Sequence, residues 1–395
     1  MTVDSVALRD VLVDVTRLLG RFWKGRLPTG VDRVSLAYVE HYGAHARAVI
    51  RLGGRSFVVP KRVSEQLFQW ILNPSGRLQL AVLLARALLT GWGGQRTSGL
   101  FLFNTGHSGL DRDDYPVMLM RMGVKPVFMV HDLIPLTHPE YCRAGERDRH
   151  MVRMNNVLRL ASAVITNSQA SLDELTSFSK RIGLSMPPSV VALLAPGVSR
   201  ISPGVRPMQA PYFVLLSTIE PRKNHYLLLQ LWRSLVCQLG ESAPRLVVIG
   251  QRGWECENVV DMLERCEQLK GVVFEHSDCT DAELVTYLHH AQALLFPSFA
   301  EGYGMPLVEA LSLGVPVIAS DLAVFKEIAG DIPEYVDPLD GKRWVELISE
   351  YNKPDSHIRG AQLQRIGDFK VPTWAEHFAK VDALLEQLNE SDSHA

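Results

Sequence analysis

Two glutamates, Glu301 and Glu309, flank a glycine-bearing loop and a helix start in the segment Phe296 to Asp331, FPSFAEGYGMPLVEALSLGVPVIASDLAVFKEIAGD. The apolar run ending at Pro297 reads as a buried strand. Pro306 falls near the first helical position, where proline's missing N–H costs little, and Gly314 stops the helix after Leu313. Glycines ahead of a helix let backbone N–H groups approach an anion, and the helix start adds unpaired donors and a favourable dipole. Gly302, Tyr303, Gly304, Met305, Pro306 and Leu307 are therefore the candidate cradle for a diphosphate. Glu309, expected in the first turn or so, is placed to accept hydrogen bonds from a ribose diol, and Glu301 to face the sugar end of the same ligand. On their own, the two acids also describe an ordinary helix start with a dipole-favoured carboxylate.

A second cluster, Ser217-Thr218-Ile219-Glu220-Pro221-Arg222-Lys223-Asn224-His225, follows an apolar run. Arg222 and Lys223 would sit at the carboxyl end of a parallel strand, where open α/β sheets bind ligands. A departing diphosphate gains negative charge as its bond to a sugar breaks, and adjacent cations stabilise it. The competing reading is a solvated basic turn. In the first half, Val130-His131-Asp132-Leu133-Ile134-Pro135 ends another strand, with His138-Pro139-Glu140 close behind. His131 reads either as a ligand contact or as a structural hydrogen bonder. Thr29-Gly30-Val31-Asp32-Arg33 opens a helix-like run, and Gly30 would permit close backbone approach, whereas Arg33 could simply face solvent. Asn104 to Ser108 and Thr166 to Ser168 also end strands, and either line an acceptor cleft or serve as plain loop.

Positioning these groups requires strands alternating with helices, the pattern of parallel sheets covered on both faces. The α/β class follows, with strands expected at Val11–Val15, Ala48–Ile50, Leu100–Phe103, Val127–Val130, Ala163–Thr166 and Val190–Leu194. After a Pro/Gly/Ser-rich stretch, Ala195 to Pro211, the pattern restarts at Tyr212–Ser217, Leu246–Gly250, Val272–Phe274, Ala293–Phe296 and Val315–Ala319. That stretch suits a linker, so two Rossmann-like domains are expected over 1–200 and 201–370. Residues 371–395 read as a helix built on Phe378, Val381, Leu384, Leu385 and Leu388, packing back toward the first domain, before a disordered SDSHA tail.

At 395 residues the chain exceeds what one core usually serves, which agrees with two domains. A hydrophobic share of 47% with 21% charged residues excludes the disordered regime. The formal net charge of -2 gives no global pull toward nucleic acid. Cys142, Cys237, Cys256, Cys266 and Cys279 form no C-x-x-C pair and fit a reducing cytosol. The first residues lack a basic n-region, so no secretory signal is expected and the location is read as cytoplasmic. The apolar stretch Leu78 to Trp92 is shorter than the ~20 residues a membrane span needs. It reads as a buried helix with one surface arginine, or as an interfacial helix presenting Arg77 and Arg86 to anionic lipid.

The stretch from Phe296 matches F-P-S-x-x-E-G-[FY]-G-x-P-x-x-E-A and continues through G-x-P-V-I-A-S, and so resembles the E-x7-E motif of the retaining glycosyltransferase family 4, of the GT-B fold. Glu220-Pro221-Arg222-Lys223-Asn224 resembles the family's pyrophosphate-gripping segment. His131-Asp132 resembles its H-D-[LI]-x-P-x-x-x-P-E segment, whose histidine reaches the donor sugar from the opposing domain. Thr29 to Arg33 resembles its T-G-[IV]-x-R loop across the cleft from the pyrophosphate. The likeness is strong over 211–331, moderate over 127–197 and weak between Ser56 and Thr97. Overall it is to bacterial surface-polysaccharide enzymes of mannosyl- and rhamnosyltransferase type, many of which use GDP-sugars.

The resemblance implies transfer of a hexose or deoxyhexose from a nucleotide diphosphate sugar, the donor substrate, bound by the domain over 201–370, to a saccharide or lipid-linked saccharide acceptor bound by the domain over 1–200. His131, Glu301, Arg222 and Lys223 would carry the chemistry. Gly30, Arg222, Lys223, residues 302–307 and Glu309 would hold the donor. Neither cofactor nor metal is expected, since no E-x-x-H-x-x-H set or strand-end D-x-D pair is present. A lipid-linked acceptor would bring Arg51, Arg55, Lys61, Arg62, Arg77 and Arg86 to the inner face of the membrane. The competing functions are a nucleotide-sugar epimerase of the same fold, an inactive nucleotide-sugar-binding subunit and a two-lobed binding protein.

Overall fold

Strands that are apolar on both faces need cover on both sides, and the computed structural model, which describes residues 10–26, 29–91, 96–198 and 201–393, holds two such sheets. The first contains β1 (Val11–Asp14), β2 (Ala46–Leu52), β3 (Arg55–Val58), β4 (Phe101–Asn104), β5 (Lys125–Val130), β6 (Ala163–Thr166) and β7 (Ser189–Val191), in the order β3-β2-β1-β4-β5-β6-β7. All pairings are parallel except β2 with β3. The second contains β8 (Tyr212–Leu216), β9 (Arg245–Ile249), β10 (Val273–His276), β11 (Leu294–Phe296), β12 (Val317–Ser320) and β13 (Glu334–Val336), in the order β10-β9-β8-β11-β12-β13, all parallel. Helices cover both sheets, giving two Rossmann-like domains of the GT-B fold. Trp232 and Trp344 are fully buried in the second.

Strand order reverses between β1 and β4 in one sheet and between β8 and β11 in the other. Ligands of open parallel sheets bind at the carboxyl ends of strands flanking such a switch. Across the cleft, Gly302 after β11 packs on the His131 carbonyl after β5, and Gly30, on the chain that follows β1, approaches Met305.

Several expectations need correction. The β2–β3 hairpin replaces a short Ala48–Ile50 strand, because the turn at Gly53-Gly54 folds the chain back on itself. β13 was not expected. Ala195 and Val198, read as linker, are buried, and only the later part of that stretch is open. The helix Arg77–Thr90 is not a buried element with one surface arginine. It buries Leu80, Leu83 and Ala87 against the helix Lys61–Leu72, and leaves Leu78 and Leu89 about four-fifths exposed. Among the described residues, no helix is long and apolar enough to cross a membrane.

The final helix, Trp374–Ser393, runs into the segment expected to be disordered, and His394 and Ala395 lie outside the described residues. It packs on the first domain. The Tyr38 hydroxyl meets His377 Nε2 at 2.9 Å, Tyr42 donates to Asp382 at 2.6 Å, and Phe378 stacks on His41 at 3.8 Å.

Candidate active site

At the end of β8 the chain enters a short 3-10 turn, Pro221–Lys223, which turns two cations toward the loop following β11. Arg222 donates to Glu301 Oε2 at 2.8 Å and to the Ala300 carbonyl at 2.9 Å, and pairs with Glu220 at 2.7 Å. Lys223 Nζ bonds the other Glu301 oxygen, which also accepts from Ser298 at 2.7 Å. Burial alone would raise the Glu301 pKa, but Arg222 and Lys223 hold it down to about 2. Burial lowers the Lys223 pKa, with Arg222 adding to the effect. For Arg222, burial opposes the charge, yet Glu301 and Glu220 raise its pKa above the ordinary value. The pair is thus no solvated turn: two cations and two acids form one buried cluster.

The helix Met305–Ser312 starts at Gly304, whose φ of 107° and position against Phe325 leave no room for a side chain. Two members of the expected cradle do other work. The Leu307 N–H donates to the Gly304 carbonyl, and Tyr303 turns its hydroxyl onto the Leu194 backbone, donating to the carbonyl at 2.6 Å and accepting from N–H at 3.0 Å. Pro306 has no N–H, so Gly304 and Met305 are the donors at the helix start itself, beside the loop N–H groups of Gly302 and Tyr303. Glu309 lies in the second turn, not the first, and is 5% exposed. Burial pushes its carboxyl up to about 7, against the opposing effects of Arg33 and the Gly197 N–H.

His131, buried at the end of β5, has its Nε2 2.6 Å from the Thr105 carbonyl, and burial lowers its pKa. The neutral ring therefore donates through Nε2 and keeps Nδ1 as an acceptor for a hydroxyl. His138 lies apart, against Tyr141 and Thr137. Asn104 is a loop-builder, donating to the Ser108 carbonyl at 3.0 Å and to Tyr115 at 2.9 Å.

Gly30 opens the helix Gly30–Tyr42, with Met305 Cγ 4.0 Å from where its side chain would begin, so it faces the second domain across open space. Arg33 does not face solvent: it pairs with Asp281 of the second domain at 2.5 Å and approaches Glu309. Asp281, Glu220, Ser168 and Ser171 received no individual role in the sequence reading. Asp281 follows the capping residue Thr280, whose Thr-x-x-Glu box was a usable signal for a helix start.

Ser168 and Ser171 both donate to the Gly302 carbonyl, at 2.8 and 3.2 Å, and Ser171 also reaches the His131 carbonyl at 3.2 Å. Gly302 itself packs on the His131 carbonyl, and a methyl there would also meet Asp132 Cβ at 2.6 Å. Gly302→Ala should therefore hold the domains apart. The expected result is a roughly 100-fold fall in kcat/KM with a larger radius of gyration in solution scattering; unchanged values of both would contradict this.

Residues 201–351 match the family described as Glycosyl transferases group 1. The serotype-specific mannosyltransferase WbdA of Escherichia coli is 29% identical over 286 residues, 67% of this chain and 34% of that protein. The O-antigen chain mannosyltransferase B of Escherichia coli is 29% identical over 258 residues, 63% of this chain and 67% of that protein. The chain thus spans about a third of the length of the WbdA relatives. Anabaena HepE, solved with UDP and glucose, superposes with a TM-score of 0.65 at 16% identity, covering 98% of this chain and all of that one. Sucrose-phosphate synthase from Thermosynechococcus elongatus gives 0.66 at 14% identity, covering 97% of this chain and all of the other. Over residues 201–351 the chain thus matches the group 1 glycosyl transferases, and over nearly its whole length it shares the fold of these two solved structures.

Proposed function

We propose that this chain transfers a hexose or deoxyhexose, with retention of configuration, from a nucleotide diphosphate sugar to a saccharide acceptor in surface-polysaccharide synthesis. The observation that carries the proposal is the convergence of Arg222, Lys223 and Glu301 at the β8/β11 switch point, facing His131 across the cleft. The relatives named as O-antigen mannosyltransferases favour mannose and, with it, a GDP-sugar. Glu301 is held by two cations and Ser298, which suits a carboxylate that positions a sugar rather than one that attacks it. In the proposed step the acceptor oxygen bonds to the anomeric carbon on the face the diphosphate leaves. The anomeric C–O bond breaks, and the acceptor proton passes to a diphosphate oxygen. Arg222, Lys223 and the N–H groups of Gly304 and Met305 stabilise the charge that develops, without a metal.

The test is NMR detection of nucleoside diphosphate release and product linkage from GDP-, UDP-, ADP- and dTDP-sugars, with methyl α-D-mannopyranoside as acceptor. A product with the donor's anomeric configuration supports the proposal. Inversion sinks the front-face step, and no release from any donor turns the reading to a nucleotide-sugar-binding subunit.

The lipid-linked form of the acceptor is part of the proposal. Trp23, Leu78, Val82 and Leu89 are each at least half exposed, and Arg77 lies against the turn at Gly25 beside them. Arg62 and Arg86 add positive charge on the neighbouring helices. Anionic vesicles should carry the protein upward in flotation at low salt, and Leu78→Glu/Leu89→Glu should leave it at the bottom. Equal behaviour of the two proteins would remove the membrane from the account.

A further inference from the structure

Arg222 is held at both ends by the loop after β11. The Phe299 N–H donates to its carbonyl at 2.8 Å, and its guanidinium donates to the Ala300 carbonyl at 2.9 Å. The Phe299 ring lies in turn against a ring of the first domain. Tyr141, which ends the short 3-10 turn Pro139–Tyr141, stacks on it with centroids 5.2 Å apart and planes 6° from parallel, an offset arrangement that aromatic pairs prefer. His138 backs Tyr141 at 6.1 Å and 16°, so three rings run from one domain to the other. A second support comes from the loop after β9. The Trp254 indole N–H donates to the Tyr141 carbonyl at 3.4 Å, and the Arg143 guanidinium lies over the indole, 5.0 Å from its centroid. That loop is tied to the turn carrying Arg222, since the Gly253 N–H donates to the Ile219 carbonyl at 2.9 Å. Phe299 and Trp254, which grip Tyr141 from the second domain, are thus both anchored to the segment 219–222.

We propose that Tyr141 is a positioning residue for the transfer: through Phe299 and Trp254 it fixes where the Arg222 guanidinium meets the departing diphosphate. Glu220 and Glu301 balance the charge of Arg222, but both belong to its own domain and leave its place relative to the first domain open. Tyr141 lies ten residues beyond His131 on one continuous segment, so the ring stack ties the cation to the strand end that carries the proposed sugar contact. An interaction that strengthens only as charge develops moves kcat more than KM, and a misplacement of about 1 Å can cost about 100-fold. This inference rests on the glycosyl-transfer reading, because it gives Tyr141 a part in that reaction.

The experiment compares the full wild-type chain with Tyr141→Leu, Tyr141→Phe, Phe299→Leu and the double variant Tyr141→Leu/Phe299→Leu. Nucleoside diphosphate release is followed with the donor, among the GDP-, UDP-, ADP- and dTDP-sugars, that the wild type turns over, and with methyl α-D-mannopyranoside as acceptor. In parallel, NMR measures exchange with water of the Arg222 Nε–H, which lies against Glu220 and is assigned by its loss in Arg222→Lys. Tyr141→Leu should lower kcat roughly 10- to 100-fold with the donor KM within about threefold. It should also speed Nε–H exchange at least about tenfold, as local opening becomes easier. Tyr141→Phe keeps the ring and should hold both quantities within about threefold of the wild type. Because Tyr141 acts through Phe299, the double variant should lose no more than about twice what the worse single variant loses. Wild-type kcat and exchange in Tyr141→Leu, an equal loss in Tyr141→Phe, or a double-variant loss equal to the product of the single losses would overturn the proposal. Faster exchange in Tyr141→Leu, in a chain whose wild type releases nucleoside diphosphate from no donor, would instead remove the transfer reading and leave the positioning of Arg222 standing.

Discussion

Arg222→Ala should lower kcat/KM by on the order of 10²–10³, the loss expected when a preorganised donor to a developing oxyanion disappears. It should also destabilise the fold by roughly 3 kcal/mol, because Glu220 and Glu301 would stay buried with half their positive charge gone. Arg222→Lys separates the two effects. An ammonium restores the charge and most of the stability, but not the planar fork that reaches Glu220, Ala300 and Glu301 together, so kcat/KM should remain at least about tenfold low. Urea unfolding and steady-state kinetics of the two variants read both quantities. Full activity in Arg222→Ala would show that the cluster is structural only.

Glu309→Gln should move stability and ligand affinity in opposite directions. The folded carboxyl titrates near 7, above the ordinary range of a glutamate. The native state therefore holds this proton more tightly than the unfolded chain. Its stabilising effect is complete below the unfolded pKa and is lost as pH rises through the folded one. Glutamine has no proton to lose. At pH 8 the unliganded variant should be more stable than the wild type by up to about 3 kcal/mol, and the difference should fade toward pH 4.5. Nucleotide affinity should fall about 10- to 100-fold, the worth of a charge-assisted hydrogen bond to a ribose hydroxyl. Melting curves across pH, with and without nucleotide, test both halves. Lower stability of the variant at pH 8 would mean that the Arg33 contact outweighs the cost of burying the charge.

The chemistry-bearing residues were legible because their signals are local. Arg222 and Lys223 follow an unbroken apolar strand, and Glu301 and Glu309 bracket a glycine-loop and proline helix start whose geometry the residue types dictate. The groups that join the domains were not. Arg33 and Asp281 are 248 residues apart, and neither segment contains a cue to the other. Ser168 and Ser171 look like a helix cap, and that cap is made; that they also grip Gly302 depends on closure of two sheets. Tyr303 reads as a loop aromatic, and only the path of residue 194 turns its hydroxyl away from the cleft. Among the strands, the long apolar runs stood out, whereas β13, with three residues, gave too short an alternation to register.

Binding of a nucleotide diphosphate in the cleft at Arg222, Lys223 and Glu309 is the step on which the proposed transfer depends. Its most direct test is the melting temperature of the purified chain with GDP, UDP, ADP and dTDP, repeated on Arg222→Ala/Lys223→Ala at a temperature where the variant is folded. One nucleotide should raise the wild-type midpoint by several degrees, and the double variant should lose most of that rise. No rise with any nucleotide, or an equal rise in the variant, would rule out a donor site at these residues.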